Sequence, residues 1–244
     1  MPQIIYLEQT ASTNSYVKAL LNKSYPPELT YYIARDQTFG RGQQTNKWIS
    51  EPYKNHTGTI IFYPGFLAPV KHFQISKLVS LGLISTLSRY LKAAELSIKW
   101  PNDIYFQEQK IAGILIEGAL SGDRYDYIIA GTGVNVNQKE FPSSLPNPVS
   151  IHQILGHRIE LARFNKALQD DITKHYNQNY LISPSIDNDY LSSLYRFGES
   201  CWFRTGDVRF KARIRGVNPH GHLLLEHSGG LIKPYAFKEV EYLF

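Results

Sequence analysis

The sequence holds a single cysteine, Cys201, among 244 residues. No internal disulfide can form, so a reducing compartment suits the chain and a cytoplasmic location is expected. No apolar run reaches about 18 residues, which excludes an expected spanning helix and a membrane partner. The opening stretch MPQIIYLEQTASTN has no basic start followed by a long apolar region, so it does not read as a secretory signal. Internal repeats and low-complexity tracts are missing too. So are the Gly-x-x-x-x-Gly-Lys-Ser/Thr phosphate loop, the nucleophile elbow and the His-Glu-x-x-His helix, together with the chemistries they carry. His220 and His222 lie in one turn with no cysteine near them, so a structural zinc site is not expected.

What is present is ordinary globular material: 43% hydrophobic and 19% charged residues, with a net charge of +5. There is enough apolar and aromatic surface to bury that disorder is not expected. The positive balance favours anionic partners without choosing among them. No cluster reads as a dedicated basic arm, so DNA binding is not expected.

The coarse pattern is α+β. Residues 4–8 and 30–37 read as strands, with a short helix between them that Ser12 or Thr13 caps. Residues 58–64 read as a strand, and dense apolar residues from about 73 to 91 read as a buried helix. LSIKW and KIAGILIEGAL read as strands bracketing a turn, and DYIIAGTGVNVN as a third strand ending in small residues. KEFPSSLPNPVS is loop. Leu161, Phe164, Leu168, Ile172 and Tyr176 mark an amphipathic helix. ISPSIDND reads as a break before a short helix. Beyond Gly198, short alternating strands joined by Gly, Asn and Pro turns read as a small antiparallel barrel. The expected division is therefore 1–195 for a larger unit and 196–244 for the barrel.

Five stretches carry candidate chemistry. In DQTFGRGQQTNKW, Gly40 and Gly42 free the backbone to approach an anion, and the planar fork of Arg41 suits a carboxylate or phosphate. An ordinary surface turn has the same residues. In KWPND, Pro101 imposes an extended or turn geometry on Trp100, while Asn102 and Asp103 either bond the local backbone or face a ligand. Lys110 opens an otherwise apolar strand, which fits a lysine at a pocket rim facing an anion or a solvated strand end. Gly131, Gly133 and Asn135 end the third strand and permit close approach by a ligand. Ser12, Thr13 and Asn14 are either a plain helix cap or donors to a polar ligand. Separately, Arg209, Lys211, Arg213 and Arg215 alternate with Phe210, Ala212 and Ile214, as the solvated face of a strand does. The same face would suit an acidic protein, a nucleotide or nucleic acid.

The order and spacing of these stretches resemble the biotin protein ligase family across about residues 4–137. KWPND followed by KIAGILIE is the most specific part. The resemblance implies a mixed β-sheet with flanking helices, like class II aminoacyl-tRNA synthetases and biotin synthetases, plus a C-terminal Src-homology-3-like barrel. It implies ATP with magnesium, biotin as substrate, biotinyl-5′-AMP as intermediate, and transfer to a lysine of a biotin carboxyl carrier domain. It assigns Lys110, Arg41 and Asp103 to catalysis: Lys110 at the reacting carboxylate and phosphate, Arg41 on the loop over the adenylate, Asp103 beside the acceptor lysine. It places Ser12, Thr13, Asn14, Gln37, Gly40, Gly42, Gly113 and Leu115 at biotin, with Arg41 and Lys110. It places Trp48, Lys99, Asn102 and Asn135 at the nucleotide. Lys99 either touches phosphate or pairs with a neighbouring carboxylate.

The chain departs from the family where further arginines usually follow Gly-Arg-Gly: Gln43, Gln44, Thr45 and Asn46 stand there, and Lys47 is the basic residue. The Ser-Thr-Asn motif falls so near the start that a monofunctional ligase, without a DNA-binding domain before it, is expected. A homodimer is compatible with the sequence. Lipoate or octanoyl ligation on a related fold, and a nucleic-acid module using residues 209–215, are the competing readings.

Overall fold

A computed structural model describes residues 2–176 and 178–243. Its core is a seven-stranded sheet in the order β1-β2-β5-β9-β8-β7-β6. These strands are β1 (Ile4–Thr10), β2 (Tyr31–Gln37), β5 (His56–Phe62), β6 (Leu96–Lys99), β7 (Asp103–Phe106), β8 (Gln109–Ser121) and β9 (Arg124–Val134). β1 and β2 run parallel, and the other neighbours are antiparallel. Helix α1 (Thr13–Leu21) makes the β1–β2 crossover.

Side-chain alternation along β2, β5 and β9 divides the interior in two. Tyr31, Ile33, Ile60, Phe62, Ile128 and Ala130 point to the main core under α2 (Phe73–Leu87) and α4 (Leu161–His175). Tyr32, Ile61, Tyr127 and Ile129 point the other way, against Val17 and Leu21 of α1. Central strands covered on both faces read as near-continuous apolar runs, as these do.

The C-terminal strands β10 (Ser200–Thr205), β11 (Val208–Val217), β12 (Leu223–His227), β13 (Ile232–Tyr235) and β14 (Glu241–Leu243) form a five-stranded antiparallel sheet. Its hydrogen-bonded order, β13-β12-β11-β10-β14, has two edges. Phe203, Ala212, Ile214, Leu223 and Leu225 join the same apolar cluster as the large sheet and its helices. The indole of Trp100 donates to Gly221 O at 2.8 Å. The interior is thus continuous across residues 195 and 196.

Some local expectations change. The stretch after β2 is no plain loop: β3 (Gly40–Arg41) and β4 (Lys47–Trp48) pair as a hairpin. β7 is an additional strand directly after the KWPND turn, where the Trp100–Pro101 bond is cis. Helix α2 stops at Leu87 rather than near 91. Ser150 closes its loop by capping α3 (Ile151–Leu155), with Gln153 completing a capping box. The supposed break at 182–189 is largely helix: after α5 (Gln178–Ile182), Ser183 caps α6 (Pro184–Ser192), with Pro184 where a missing N–H costs nothing. Among the described residues no helix is long and apolar enough to cross a membrane.

Candidate active site

On the α1 face of the large sheet, bulk gives way to nothing. Tyr127 and Ile129 of β9 lie under α1, but the next residues on that face are Gly131 and Gly133, paired with Leu115 and Gly113 of β8. The missing side chains leave a cavity of about 330 Å³ beyond the N-terminus of α1. These glycines are required by close neighbours. A Cβ on Gly131 would stand 2.3 Å from Asn14 Oδ1, and one on Gly133 would stand 2.4 Å from Trp48 Cε2. Trp48, carried by the β3–β4 hairpin, therefore lies directly on β9 and reaches Gly113 as well.

One wall is cationic because of a bulge. Ile104 pairs with Ala112 but Tyr105 pairs with Lys110, so Ile111 is an extra residue in β8. The bulge turns Lys110 onto the face shared by Asp103, Tyr105 and Gly113, which simple alternation would have denied it. There its Nζ meets Asp103 Oδ1 at 2.7 Å and sits 5.9 Å from the Trp48 ring centroid. Lys99, opposite Asp103 in β6, donates to Tyr105 Oη at 3.0 Å and lies over the rings of Tyr105 and Tyr242. Arg41, Lys47, Lys99, Lys110 and Lys238 line the cavity against the carboxylates of Asp103 and Glu241. Net positive charge in a partly enclosed space favours anionic ligands.

The opposite end is neutral and tightly bonded. Ser12 caps α1. Gln37 Oε1 accepts from Thr13 N at 2.9 Å and from Thr13 Oγ1 at 3.2 Å. Thr59, which the sequence reading missed, donates to Asn14 Oδ1 at 2.6 Å and has Thr13 Oγ1 within hydrogen-bond distance at 2.8 Å. Asn14 gives its amide hydrogens to Leu115 O and Glu117 Oε2, tying α1 to β8.

Behind the floor, His56 is fully buried. Its Nδ1 faces Asn165 Oδ1 at 2.9 Å, which can only accept there, so Nε2 is the acceptor, with the hydroxyls of Thr132 at 2.8 Å and Tyr31 at 3.0 Å as its donors in reach. Tyr31 Oη contacts both His56 and Thr132. Burial lowers the His56 pKa to about 4 and raises that of Tyr31.

The structure brings Ser12, Thr13, Asn14, Gln37, Arg41, Gly42, Trp48, Lys99, Asn102, Asp103, Lys110, Gly113 and Leu115 to one cavity. It does not bring Asn135 there. That amide donates to Val149 O at 3.1 Å, tying the 147–150 loop behind Lys110. Gly40 does not line the space either; its missing side chain lets β3 approach β4, where a Cβ would stand 2.3 Å from Trp48 O. Asn102 lines the cavity but gives its amide to Ile114 O at 2.8 Å. Arg41 is not at the lysine end. It grips Glu117 through two contacts, 3.0 and 3.3 Å, and reaches Ser15 Oγ at 3.3 Å. Glu117 thereby emerges as a site residue. Phe237, Lys238, Val240, Glu241 and Tyr242 also line the cavity, from the C-terminal sheet and the segment before β14.

Two buried polar atoms at the hairpin, Gln43 Oε1 and Trp48 Nε1, have no hydrogen-bond partner. Among the described residues no group of three or more His, Cys, Asp or Glu converges to hold a metal.

Residues 6–135 match the model of the biotin/lipoate A/B protein ligase family. A biotin–[acetyl-CoA-carboxylase] ligase of Paracoccus denitrificans is 32% identical over 237 residues, which cover 92% of this chain and 94% of that one. The bifunctional ligase/repressor BirA of Bacillus subtilis is 29% identical over 244 residues, 96% of this chain and 72% of that one. Among solved structures, the Aquifex aeolicus biotin protein ligase in complex with biotin and ATP superposes with a TM-score of 0.80 at 24% identity, covering 100% of this chain and 99% of that one. The chain belongs to the biotin/lipoate A/B protein ligase family.

Proposed function

We propose that the chain is a biotin protein ligase. It activates biotin with ATP to biotinyl-5′-AMP and transfers the biotinyl group to a lysine of a biotin carboxyl carrier domain. The observation that carries this reading is the cavity: a neutral, hydrogen-bonding end at Thr13 and Gln37 joined through glycines and Leu115 to a cationic end at Lys110. A ligand with a polar head, an apolar tail and a terminal carboxylate fits that gradient. A lipoyl or octanoyl chain would leave the polar end unanswered.

In the first step the biotin carboxylate attacks the α-phosphorus of ATP, and pyrophosphate leaves. ATP enters as its magnesium complex. Lys110 neutralises negative charge where carboxylate and phosphate meet, in a space partly closed to water. Trp48, fixed on Gly133 with its indole N–H edge against β9, presents its outer face to the nucleotide. Arg41 acts as a latch that holds the hairpin to Glu117 and so shields the anhydride from water. In the second step the acceptor amine attacks the carbonyl of the anhydride, and AMP leaves. Asp103 is within reach of the same point and takes or orients the amine proton when Lys110 is engaged with the adenylate. We read the C-terminal sheet as a small Src-homology-3-like barrel, with 1–195 as the catalytic unit and the cytoplasm as the location.

Biotin-dependent release of pyrophosphate tests the first step. It should require biotin, fail with lipoate, and fall about 10²–10³-fold in Lys110→Ala while the circular dichroism spectrum is retained. Release supported equally by lipoate would contradict the assignment.

A further inference from the structure

The outer face of the C-terminal sheet has no part in the chemistry above. Arg209, Lys211 and Arg213 of β11 are exposed and alternate with the inward Phe210, Ala212 and Ile214. In register beside them on β10 stand Arg204, Trp202 and Ser200. Trp202 is 49% exposed, and Lys211 Nζ lies 5.2 Å from its ring centroid. Of the carboxylates near this face, Glu241 is engaged with Arg204 and Glu226, opposite Arg213 in register, with Arg215, while Asp207 lies in the turn beside Arg204. No ion pair among the described residues includes Arg209, Lys211 or Arg213. An exposed tryptophan among cations that form no ion pair, on a face where cations outnumber carboxylates, has the composition of an interface anchor rather than of a solvated strand.

The face is continuous with the active site. Arg209 pairs in register with Arg204, Arg204 with Glu241, and Glu241 lines the cavity. A partner that covers this row and β10 beside it reaches Glu241, and with it the edge of the cavity. The second substrate is a macromolecule that must place a lysine there. A phosphate backbone would meet Glu226 and Glu241 interrupting its track, whereas a folded protein can set its own carboxylates against the three cations alone.

We propose that Arg209, Lys211 and Arg213, around Trp202, form the docking surface for an acidic face of the acceptor domain. This rests on the ligase reading. The surface governs capture of the acceptor and leaves adenylate formation untouched. Such charges act chiefly on association, so their effect weakens with salt.

The test compares the full-length chain with Arg209→Glu/Arg213→Glu and, separately, Trp202→Ala, using an isolated biotin carboxyl carrier domain as acceptor. Biotin-dependent pyrophosphate release should be unchanged in both variants. The KM for the acceptor should rise about tenfold in the charge-reversed variant, with kcat little altered. Raising salt should raise that KM in the parent and not in the variant. An acceptor KM and salt slope equal to the parent's would overturn the proposal while leaving the ligase reading intact. Loss of binding to a single-stranded oligonucleotide with no change in acceptor KM would overturn it in favour of nucleic acid. A parent that forms no biotinyl adenylate would remove the ligase reading, and this surface with it.

Discussion

Arg41 and Glu117 behave as one device. Their side chains meet through two contacts, and Glu117 is pinned in turn by the Asn14 amide. If the pair latches the hairpin, Arg41→Ala and Glu117→Ala should each speed loss of biotinyl adenylate, and the double variant should be no worse than either. A coupling of about 1 kcal/mol or more in a double-mutant cycle of adenylate dissociation rates is expected. Additive effects would return Arg41 to direct contact with phosphate. His56 makes a second residue-level prediction. Buried and neutral, it resists protonation down to about pH 4, against 6.5 for the ordinary side chain. Between those values the unfolded chain binds a proton that the folded chain does not, so stability falls as pH falls from 6.5 to 4. The loss is on the order of 3 kcal/mol. Urea melts of the parent and His56→Gln across this range should converge toward acid pH; parallel curves would contradict the assignment.

The hairpin and the bulge are the elements that build the site, and neither was visible in the sequence. Gly40 and Gly42 mark a turn, but nothing local says that residues 40–41 and 47–48 pair, or that the pair rests on β9. Lys110 was recognisable because an apolar strand rarely opens with a lysine. The register slip at Ile111 that aims it is a matter of pairing between β7 and β8. KWPND was legible as a turn because proline and the Asn-Asp pair act locally. The Arg41–Glu117 contact spans 76 positions and exists only after the sheet has formed. The seating of Trp48 can be tested at this scale. Gly133→Ala places a Cβ within 2.4 Å of the indole, and overpacking of this kind costs about 1–3 kcal/mol. The hairpin should lift, raising the KM for ATP about tenfold or more, with a red shift in tryptophan emission that Trp48→Phe abolishes. An unshifted KM would mean that the ring takes no part in nucleotide binding.

At the scale of the molecule, alternating apolar residues made the α+β class and the late strand-rich segment readable, since periodicity of two and 3.6 survives without tertiary information. The sharing of one core by both sheets was not readable. It depends on Trp100 reaching Gly221 and on the inward residues of β10–β12 joining the main cluster. That closeness lets residues 237–242 complete the cavity and sets the basic face beside its mouth. The central claim is that this cavity moves biotin from ATP activation onto a protein lysine. The most direct test is mass spectrometry of a biotin carboxyl carrier domain after incubation with the chain, biotin and magnesium ATP. The account predicts a gain of one biotinyl group, lost when the acceptor lysine is replaced and strongly reduced with Lys110→Ala. An unchanged acceptor mass, or equal labelling by Lys110→Ala, would contradict it.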